Sequence, residues 1–194
     1  AALQGGVTFM QIREKTKSTR EYIALAEKVH VLTKKYNVPL IIDDRVDVAL
    51  AMDAEGVHLG QSDMPIDLAR KVLGPDKIIG ATAKTVPQAL EAWQQGADYL
   101  GVGAIYPTTT KVKTVLTSVD TLRDICNTVP IPVNAIGGLN KDNIDVSRIY
   151  IGGYSMGGKM TLKMSVAYPE MFAAAFPICP AWSVPSEYAE LLSD

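Results

Sequence analysis

The sequence is poor in histidine and cysteine, carries little net charge, and has no long hydrophobic run. It contains two histidines, two cysteines and a formal net charge of −2 over 194 residues. Cys126 and Cys179 lack the close spacing of metal ligands, so we expect two reduced, partly buried thiols. The near-neutral charge argues against nucleic-acid binding. No apolar run reaches the roughly 18 residues that a membrane-spanning helix needs.

What is present is ordinary for a cytoplasmic globular protein. Hydrophobic residues make up 47% of the chain and charged residues 21%, and 194 residues are enough for one large domain with a single core. No secretory signal precedes the first predicted strand. Residues 1–6 resemble the end of a helix with its glycine cap, which predicts that an upstream segment is missing.

The composition changes near Asp145. Residues 1–144 carry 16 basic and 16 acidic side chains, whereas residues 145–194 carry 3 and 5. The last 50 residues also hold 7 of the 13 aromatic side chains. The tail is therefore poorer in charge and richer in large apolar groups, as expected of a segment that was buried in a different parent protein.

Short apolar runs alternate with amphipathic stretches, which is typical of a parallel sheet with crossover helices. The units repeat at a period of roughly 25 residues, and such a repeat favours a (βα)8 barrel over an open sheet. We expect an α/β fold in which residues 1–194 form one closed barrel, with six strands from residues 1–144 and two from residues 145–194. The predicted strands are 7–12, 39–42, 56–59, 77–81, 99–102, 132–136, 148–151 and 172–178, and the predicted helices are 20–36, 46–52, 66–73, 86–95, 119–127, 157–168 and 186–192.

Polar residues cluster at the ends of the predicted strands, where a (βα)8 barrel carries its chemistry. Arginine and lysine neutralise phosphate, paired aspartates suit Mg²⁺, and glycines let backbone N–H groups approach a phosphate. The alternative, that each is a solvated loop residue, is weaker for six strand ends together than for any one. The residues are Gln11, Arg13, Lys15, Asp43, Asp44, Arg45, Gly60, Gln61, Ser62, Asp63, Thr82, Lys84, Pro107, Thr108, Thr109, Thr110, Lys111, Gly137 and Gly138.

These segments resemble the thiamine phosphate synthase family over about residues 1–144. The family joins a hydroxymethylpyrimidine diphosphate to a thiazole phosphate and releases pyrophosphate. The motifs are Gln11-x-Arg13-x-Lys15, Asp43-Asp44-Arg45, Gly56-Val57-His58-Leu59-Gly60-Gln61-x-Asp63, Gly101-Val102-Gly103-x-x-x-Pro107-Thr108-x-Thr110-Lys111 and Ala135-Ile136-Gly137-Gly138.

The resemblance implies a role for each motif residue. Gln11, Arg13, Lys15 and Lys111 would hold the pyrimidine diphosphate, with Arg13, Lys15 and Lys111 as the catalytic cations. Asp44 and Asp63 would bind Mg²⁺. Asp43 and Thr82 stand at substrate-binding positions where the family commonly has Asn and Ser. Thr108, Thr110, Gly137 and Gly138 would meet the thiazole phosphate.

The tail carries a different motif. Gly153-Tyr154-Ser155-Met156-Gly157 fits G-x-S-x-G between a predicted strand and a predicted helix, so residues 146–194 resemble the nucleophile elbow of an esterase-like α/β-hydrolase. Ser155 would be the nucleophile, but no histidine follows it, and His30 is expected on a helix surface. A strand–turn–helix used only for packing, or glycine-rich backbone that rebuilds a phosphate cup, are the alternatives.

The sequence is therefore interpreted as a chimera of a thiamine phosphate synthase and a hydrolase-like tail. We expect a Mg²⁺-dependent transferase that acts on small-molecule phosphates, with activity weakened or lost because two strands are foreign. Esterase activity through Ser155 and a non-catalytic engineered fold are the alternatives. Binding to nucleic acid or membranes is not expected, and homo-oligomers are possible if a sheet edge stays open.

Overall fold

The computed structural model describes Leu3, residues 7–107, residues 115–139, Asn143, and the backbone of residues 150–154 and 174–178. The strands are β1 (Met10–Ile12), β2 (Leu40–Asp43), β3 (Gly56–Leu59), β4 (Ile78–Ala83), β5 (Tyr99–Gly103), β6 (Val133–Ile136), β7 (Tyr150–Tyr154) and β8 (Ala174–Ile178). The helices are α1 (Thr19–Lys35), α2 (Val46–Ala51), α3 (Ile66–Leu73), α4 (Val86–Gln94) and α5 (Val119–Thr128).

Strands β1 to β6 form one parallel sheet in sequence order. The order never reverses, which distinguishes this sheet from a doubly wound one. One helix lies between each pair of successive strands of this sheet. This is the pattern of a (βα)8 barrel wall, and six of its predicted strands are confirmed.

The strands form where the sequence is apolar on both faces. Leu40, Ile41 and Ile42 are completely buried, as expected of a parallel strand covered by helices on one side and barrel interior on the other. Strand β1 is shorter than predicted. Its ladder with β2 starts at Met10, which pairs with Leu40. Pro39, the residue before Leu40, has no N–H to donate and so cannot extend the ladder toward the amino terminus.

A contact across the sheet shows that it is curled. The side-chain amide of Gln11 in β1 donates to the hydroxyl of Tyr99 in β5 over 2.6 Å. The Phe9 ring meets the Tyr99 ring edge to face at 5.3 Å between centroids. In a flat sheet these strands would lie about 19 Å apart, at about 4.8 Å per strand, beyond the reach of two side chains. The sheet therefore closes toward the face that carries Gln11 and Tyr99.

The predicted closure of the barrel by the tail is not seen. Strands β7 and β8 pair in parallel with each other, from Tyr150 with Ala174 to Tyr154 with Ile178, and form a separate two-stranded sheet. The predicted barrel needs β7 and β8 in the same sheet as β1 to β6, whereas the described strands form two sheets. The chain divides into two compact units, Ala1–Leu139 and Asn140–Asp194. The predicted helices 157–168 and 186–192 lie outside the described residues.

Two expectations about single side chains are wrong. Cys126 is exposed rather than partly buried. His30 is buried rather than on the surface of α1. Its ring Nε2 lies 3.0 Å from Glu55 Oε1. The other Glu55 oxygen accepts from the Leu40 N–H at 2.8 Å, which fixes the carboxylate at the start of β2. Among the described residues, no helix is both long and apolar enough to cross a membrane.

Arg70 of α3 fastens the amino-terminal ends of β4 and β5 together. Its guanidinium donates to the carbonyls of Lys77 and Gly96 at 2.6 and 2.8 Å. It also donates to Asp98 Oδ2 at 2.7 Å, which accepts the Ile79 N–H as well. This network lies at the end of the sheet opposite the predicted site. In (βα)8 barrels the residues at that end stabilise the fold.

Arg70→Met should lower the free energy of unfolding by about 2–3 kcal/mol, because it leaves four backbone carbonyls and one carboxylate without their charged donor. Lys71→Met is the matched control, since the Lys71 side chain is 71% exposed and forms an ion pair with Asp67 at 3.2 Å. The control should change stability by about 0.5 kcal/mol or less. Urea unfolding of both variants measures the difference, and equal losses would contradict this role for Arg70.

Candidate active site

The six strands of the parallel sheet end at the same edge, and motif residues that follow them gather there. Gln11, Arg13 and Lys15 are exposed, whereas Ile12 and Glu14 between them are half-buried. This alternation, which the sequence predicts, keeps three polar side chains available at the end of β1.

Arg13 joins the ends of β1 and β2. Its Nε donates to Asp44 Oδ2 at 2.9 Å and lies 3.9 Å from Asp43 Oδ2. Asp44 has a φ of 67°, and its N–H donates to the His58 carbonyl at 2.9 Å. Aspartate tolerates this left-handed backbone better than most residues, and the turn brings its carboxylate back toward Arg13.

Tyr22 of α1 also stabilises the junction between the ends of β1 and β2, and no sequence pattern marked it for this role. Its hydroxyl donates to the Ile12 carbonyl at 2.7 Å and also approaches the Asp43 carbonyl at 3.4 Å. Burial, with a smaller effect of the Asp43 carboxylate, raises the pKa of Tyr22 to about 12. The phenol therefore stays a neutral donor that holds the ends of β1 and β2 side by side.

The loop after β3 is fixed by its own aspartate. Asp63 Oδ2 accepts the Gly60 N–H at 2.6 Å, and the Asp63 N–H donates back to the Gly60 carbonyl at 3.1 Å. Gln61 of the same loop donates to the Thr82 carbonyl at 2.6 Å, which ties the loop to β4. These bonds give Asp63 a defined place beside the ends of β3 and β4.

Two carboxylates at this edge are of the chemical type that binds Mg²⁺. Asp44 and Asp63 come from the ends of neighbouring strands, and both offer carboxylate oxygens, the ligands that Mg²⁺ prefers. Within the described ranges no group of three or more His, Cys, Asp or Glu side chains could hold a metal. A pair of carboxylates suits Mg²⁺, which keeps water or substrate oxygens on its other positions.

A buried chain of hydrogen bonds runs through the inner face of the sheet. From the Tyr99 hydroxyl, bound by Gln11, it continues to His58 Nδ1 at 3.0 Å. His58 Nε2 lies 3.0 Å from the Thr82 hydroxyl. Tyr99 is 7% exposed and His58 8%, and burial raises the pKa of Tyr99. Nothing in the sequence pattern marks Tyr99 as a polar group of the site, because it lies in an otherwise apolar strand.

Gly137 and Gly138 lie directly after β6 with φ of 94° and 66°. A Cβ on Gly137 would lie 2.5 Å from the Ala104 Cβ, and one on Gly138 would lie 2.5 Å from the Pro107 carbonyl oxygen. The Gly137 carbonyl accepts the Tyr106 N–H at 3.0 Å. Glycine is therefore required at both positions, where β6 packs against the segment that follows β5.

Five of the candidate residues are outside the part of the chain that the structure describes. They are Thr108, Thr109, Thr110, Lys111 and Ser155. Strand β7 ends one residue before Ser155, so the strand that the elbow motif requires is present. Lys15 follows β1, as Arg13 does, and Thr82 lies one residue before the end of β4. Arg45 turns away to Asp47 and Thr19.

Comparison with known proteins points to one family. The family described as thiamine monophosphate synthase matches residues 1–152. The chain is 58% identical over 144 residues to thiamine-phosphate synthase 2 of Streptococcus pneumoniae, covering 74% of this chain and 69% of that protein. It is 52% identical over 143 residues to the thiamine-phosphate synthase of Clostridium tetani, covering 74% and 68%. A solved thiamine phosphate pyrophosphorylase from Pyrococcus furiosus aligns with a TM-score of 0.66 and 40% identity, covering 89% of this chain and 73% of that one.

Tyr22→Phe should lower the free energy of unfolding by about 1–2 kcal/mol, because the Ile12 carbonyl loses a buried donor while the ring volume is kept. Tyr36→Phe on the same helix is the control, since Tyr36 is 41% exposed. Its effect should be about 0.5 kcal/mol or less. Urea unfolding checks the pair; a Tyr22→Phe variant as stable as the control would show that the phenol does not hold the two strand ends.

Proposed function

Because the chain belongs to the thiamine monophosphate synthase family, we propose that it is a transferase that makes thiamine phosphate. It would join a hydroxymethylpyrimidine diphosphate to a thiazole phosphate and release pyrophosphate. The observation that carries the proposal is the junction at the ends of β1 and β2, where Arg13 contacts Asp44 at 2.9 Å. In this proposal Arg13 is a cation that binds the diphosphate, and Asp44 beside it is a carboxylate that binds the metal.

The cations of this edge would stabilise the leaving group. Arg13 and Lys15 are exposed at the end of β1, and Lys111 follows β5 in the sequence. Negative charge develops on the pyrophosphate as its bond to the pyrimidine methylene breaks, so fixed positive charges lower the barrier. An attacking nitrogen of the thiazole takes up the methylene, and no covalent enzyme nucleophile is needed.

Asp44 and Asp63 would hold Mg²⁺, which when bound neutralises diphosphate oxygens and lowers the cost of their departure. Arg13 would also orient the Asp44 carboxylate. Asp43, where the family commonly has Asn, adds a second carboxylate 3.9 Å from Arg13. This extra charge should shift metal affinity and weaken diphosphate binding relative to an asparagine at the same position.

The two substrates would meet across the inner face. Gln11 and Thr82 are bound to the buried hydrogen-bond chain and would position the pyrimidine. Gly137 and Gly138, with Thr108 and Thr110, would receive the thiazole phosphate. Positioning of this kind supplies much of the rate enhancement, and a substrate displacement of about 1 Å lowers the rate about 10²-fold.

The tail carries a second candidate function. Strand β7 stands immediately before Ser155 and pairs in parallel with β8, as the strands around a hydrolase elbow do. This observation is what supports a hydrolase-like tail over residues 146–194, joined to the synthase-like segment in a chimeric chain. Esterase activity stays the weaker proposal, because no histidine follows Ser155 to act as base.

Purified chain supplied with both substrates and Mg²⁺ should release pyrophosphate and form thiamine phosphate. Asp63→Asn should lower turnover about 10²-fold or more, because it removes a metal ligand charge. Asp67→Asn is the matched control, since Asp67 lies four residues away on α3 and pairs with Lys71. Its turnover should equal that of the unaltered chain.

The same preparations distinguish the hydrolase. Ser155→Ala should leave thiamine phosphate formation unchanged. Hydrolysis of 4-nitrophenyl acetate that disappears in Ser155→Ala, together with no thiamine phosphate from the unaltered chain, would replace the synthase proposal by the esterase one.

A further inference from the structure

Helix α3 carries apolar residues on two of its sides. Ile66, Ala69 and Leu73 are buried and belong to the hydrophobic core. Leu68 and Val72 lie on a different side of the helix and are 46% and 49% exposed. A helix that covers a sheet usually has one apolar stripe, toward the core, and polar residues elsewhere. Packing among the described residues therefore does not account for the second apolar row.

Charges of opposite sign run beside the exposed row. Asp67 and Lys71 each come one residue before an apolar member of the row, and they form an ion pair at 3.2 Å. Side chains four residues apart lie on one face of a helix, so the two charges form a row of their own next to Leu68 and Val72. These four residues, here called the α3 outer face, form a neutral patch with one acidic and one basic end.

We infer that the α3 outer face binds the same face of a second copy of this chain. A contact about a two-fold axis pairs a surface patch with itself, so the patch must be complementary to itself. When two copies of α3 lie antiparallel, Asp67 of each copy is opposite Lys71 of the other, and the two Leu68 side chains meet beside these charges. The α3 outer face meets the requirement of self-complementarity in both charge and apolar surface.

The comparison with helix α1 shows how charge selects this face. Val31 and Leu32 of α1 are also exposed. Residues 27–35 around them hold three lysines and one glutamate. Pairing that surface with itself would bring an excess of positive charge from both copies together, and like charges across a contact oppose association. On the α3 outer face each copy contributes one charge of each sign, so the paired charges balance.

The size of the α3 outer face predicts a weak dimer. Helix α3 has eight residues, which span about 12 Å at about 1.5 Å per residue. Helix α2 packs beside it and adds the exposed Leu50. Two such short helices cover less than the roughly 800 Å² per partner of a stable complex, so we expect a reversible dimer with Kd of about 10 µM or higher. This inference does not rest on the proposed synthase function, because α3 belongs to the helix layer outside the sheet.

Reversal of the two charges tests the contact. Sedimentation equilibrium between about 1 µM and about 1 mM of the full chain covers the expected Kd. Asp67→Lys and Lys71→Asp should each raise Kd about tenfold or more, because the two-fold axis places two like-charged pairs in the contact. The double variant restores opposite charges and should return Kd to within about threefold of the unaltered value. Leu68→Gln should raise Kd about tenfold or more, since it removes the apolar contact near the axis.

Two variants on other helices serve as matched controls. Asp120→Lys reverses another aspartate in the first turn of a helix, which pairs with Arg123 of α5. Leu32→Gln removes a leucine of similar exposure from α1. Both should leave Kd unchanged. Circular dichroism and urea unfolding of every variant identify any that does not fold, and the restored double variant shows that the helix tolerates both new side chains.

Three results would overturn the inference. The first is an unaltered chain that stays monomeric up to about 1 mM. The second is a dimer with the same Kd in Asp67→Lys, because another surface, such as a sheet edge or residues 140–194, would then form the contact. The third is a folded double variant that dimerises as weakly as the single variants, because Asp67 and Lys71 would then not face each other across the axis.

Discussion

The hydrogen bond of 2.6 Å between Gln11 and Tyr99 ties the first strand of the sheet to the fifth. The contact is possible only if the sheet curls, and the curl brings the ends of six strands around one shared space. Arg13 and Asp44, which follow β1 and β2, and Thr82 of β4 lie at these strand ends. The same bond sets the amide of Gln11, so sheet curvature and side-chain orientation at the proposed pyrimidine site depend on one interaction.

The two ends of the sheet carry different physical tasks. At the amino-terminal end, Arg70 and Glu55 form hydrogen bonds with backbone groups near the starts of β2, β4 and β5. At the carboxyl end, Arg13 and Lys15 remain exposed to solvent. Charge at the first end stabilises the fold, and charge at the second end is available for an anionic substrate. This division is the usual one in (βα)8 barrels.

The sequence predicted those parts of the structure that local patterns determine. Helices α1 to α5 begin and end within about two residues of their predicted bounds, because helical periodicity and caps such as Ser18 with Glu21 act locally. The alternation of exposed Gln11, Arg13 and Lys15 with half-buried Ile12 and Glu14 was also predicted, although β1 itself ends at Ile12. The predicted ends of the strands were less accurate, because a strand ends where its hydrogen bonding with neighbouring strands ends.

The residues that the sequence analysis missed act over long separations. Tyr22 stabilises strand ends 10 and 21 positions away, and Tyr99 contacts Gln11 at a separation of 88. Neither lies in a pattern of period 2 or 3.6 that marks it as polar in function. The separate sheet of β7 and β8 was missed for a related reason: counting strands to eight cannot tell which strands will share a sheet.

The central claim is that the ends of β1, β2 and β3 form a working site for a metal diphosphate. Thermal unfolding with increasing Mg²⁺-pyrophosphate tests it most directly, with Asp76→Ala, an exposed loop position, as the control for Asp44→Ala. The account predicts a rise of about 5 °C or more at saturation for the unaltered chain and the control, and no rise for Asp44→Ala. A single unfolding transition that Mg²⁺-pyrophosphate does not shift in the unaltered chain would contradict it.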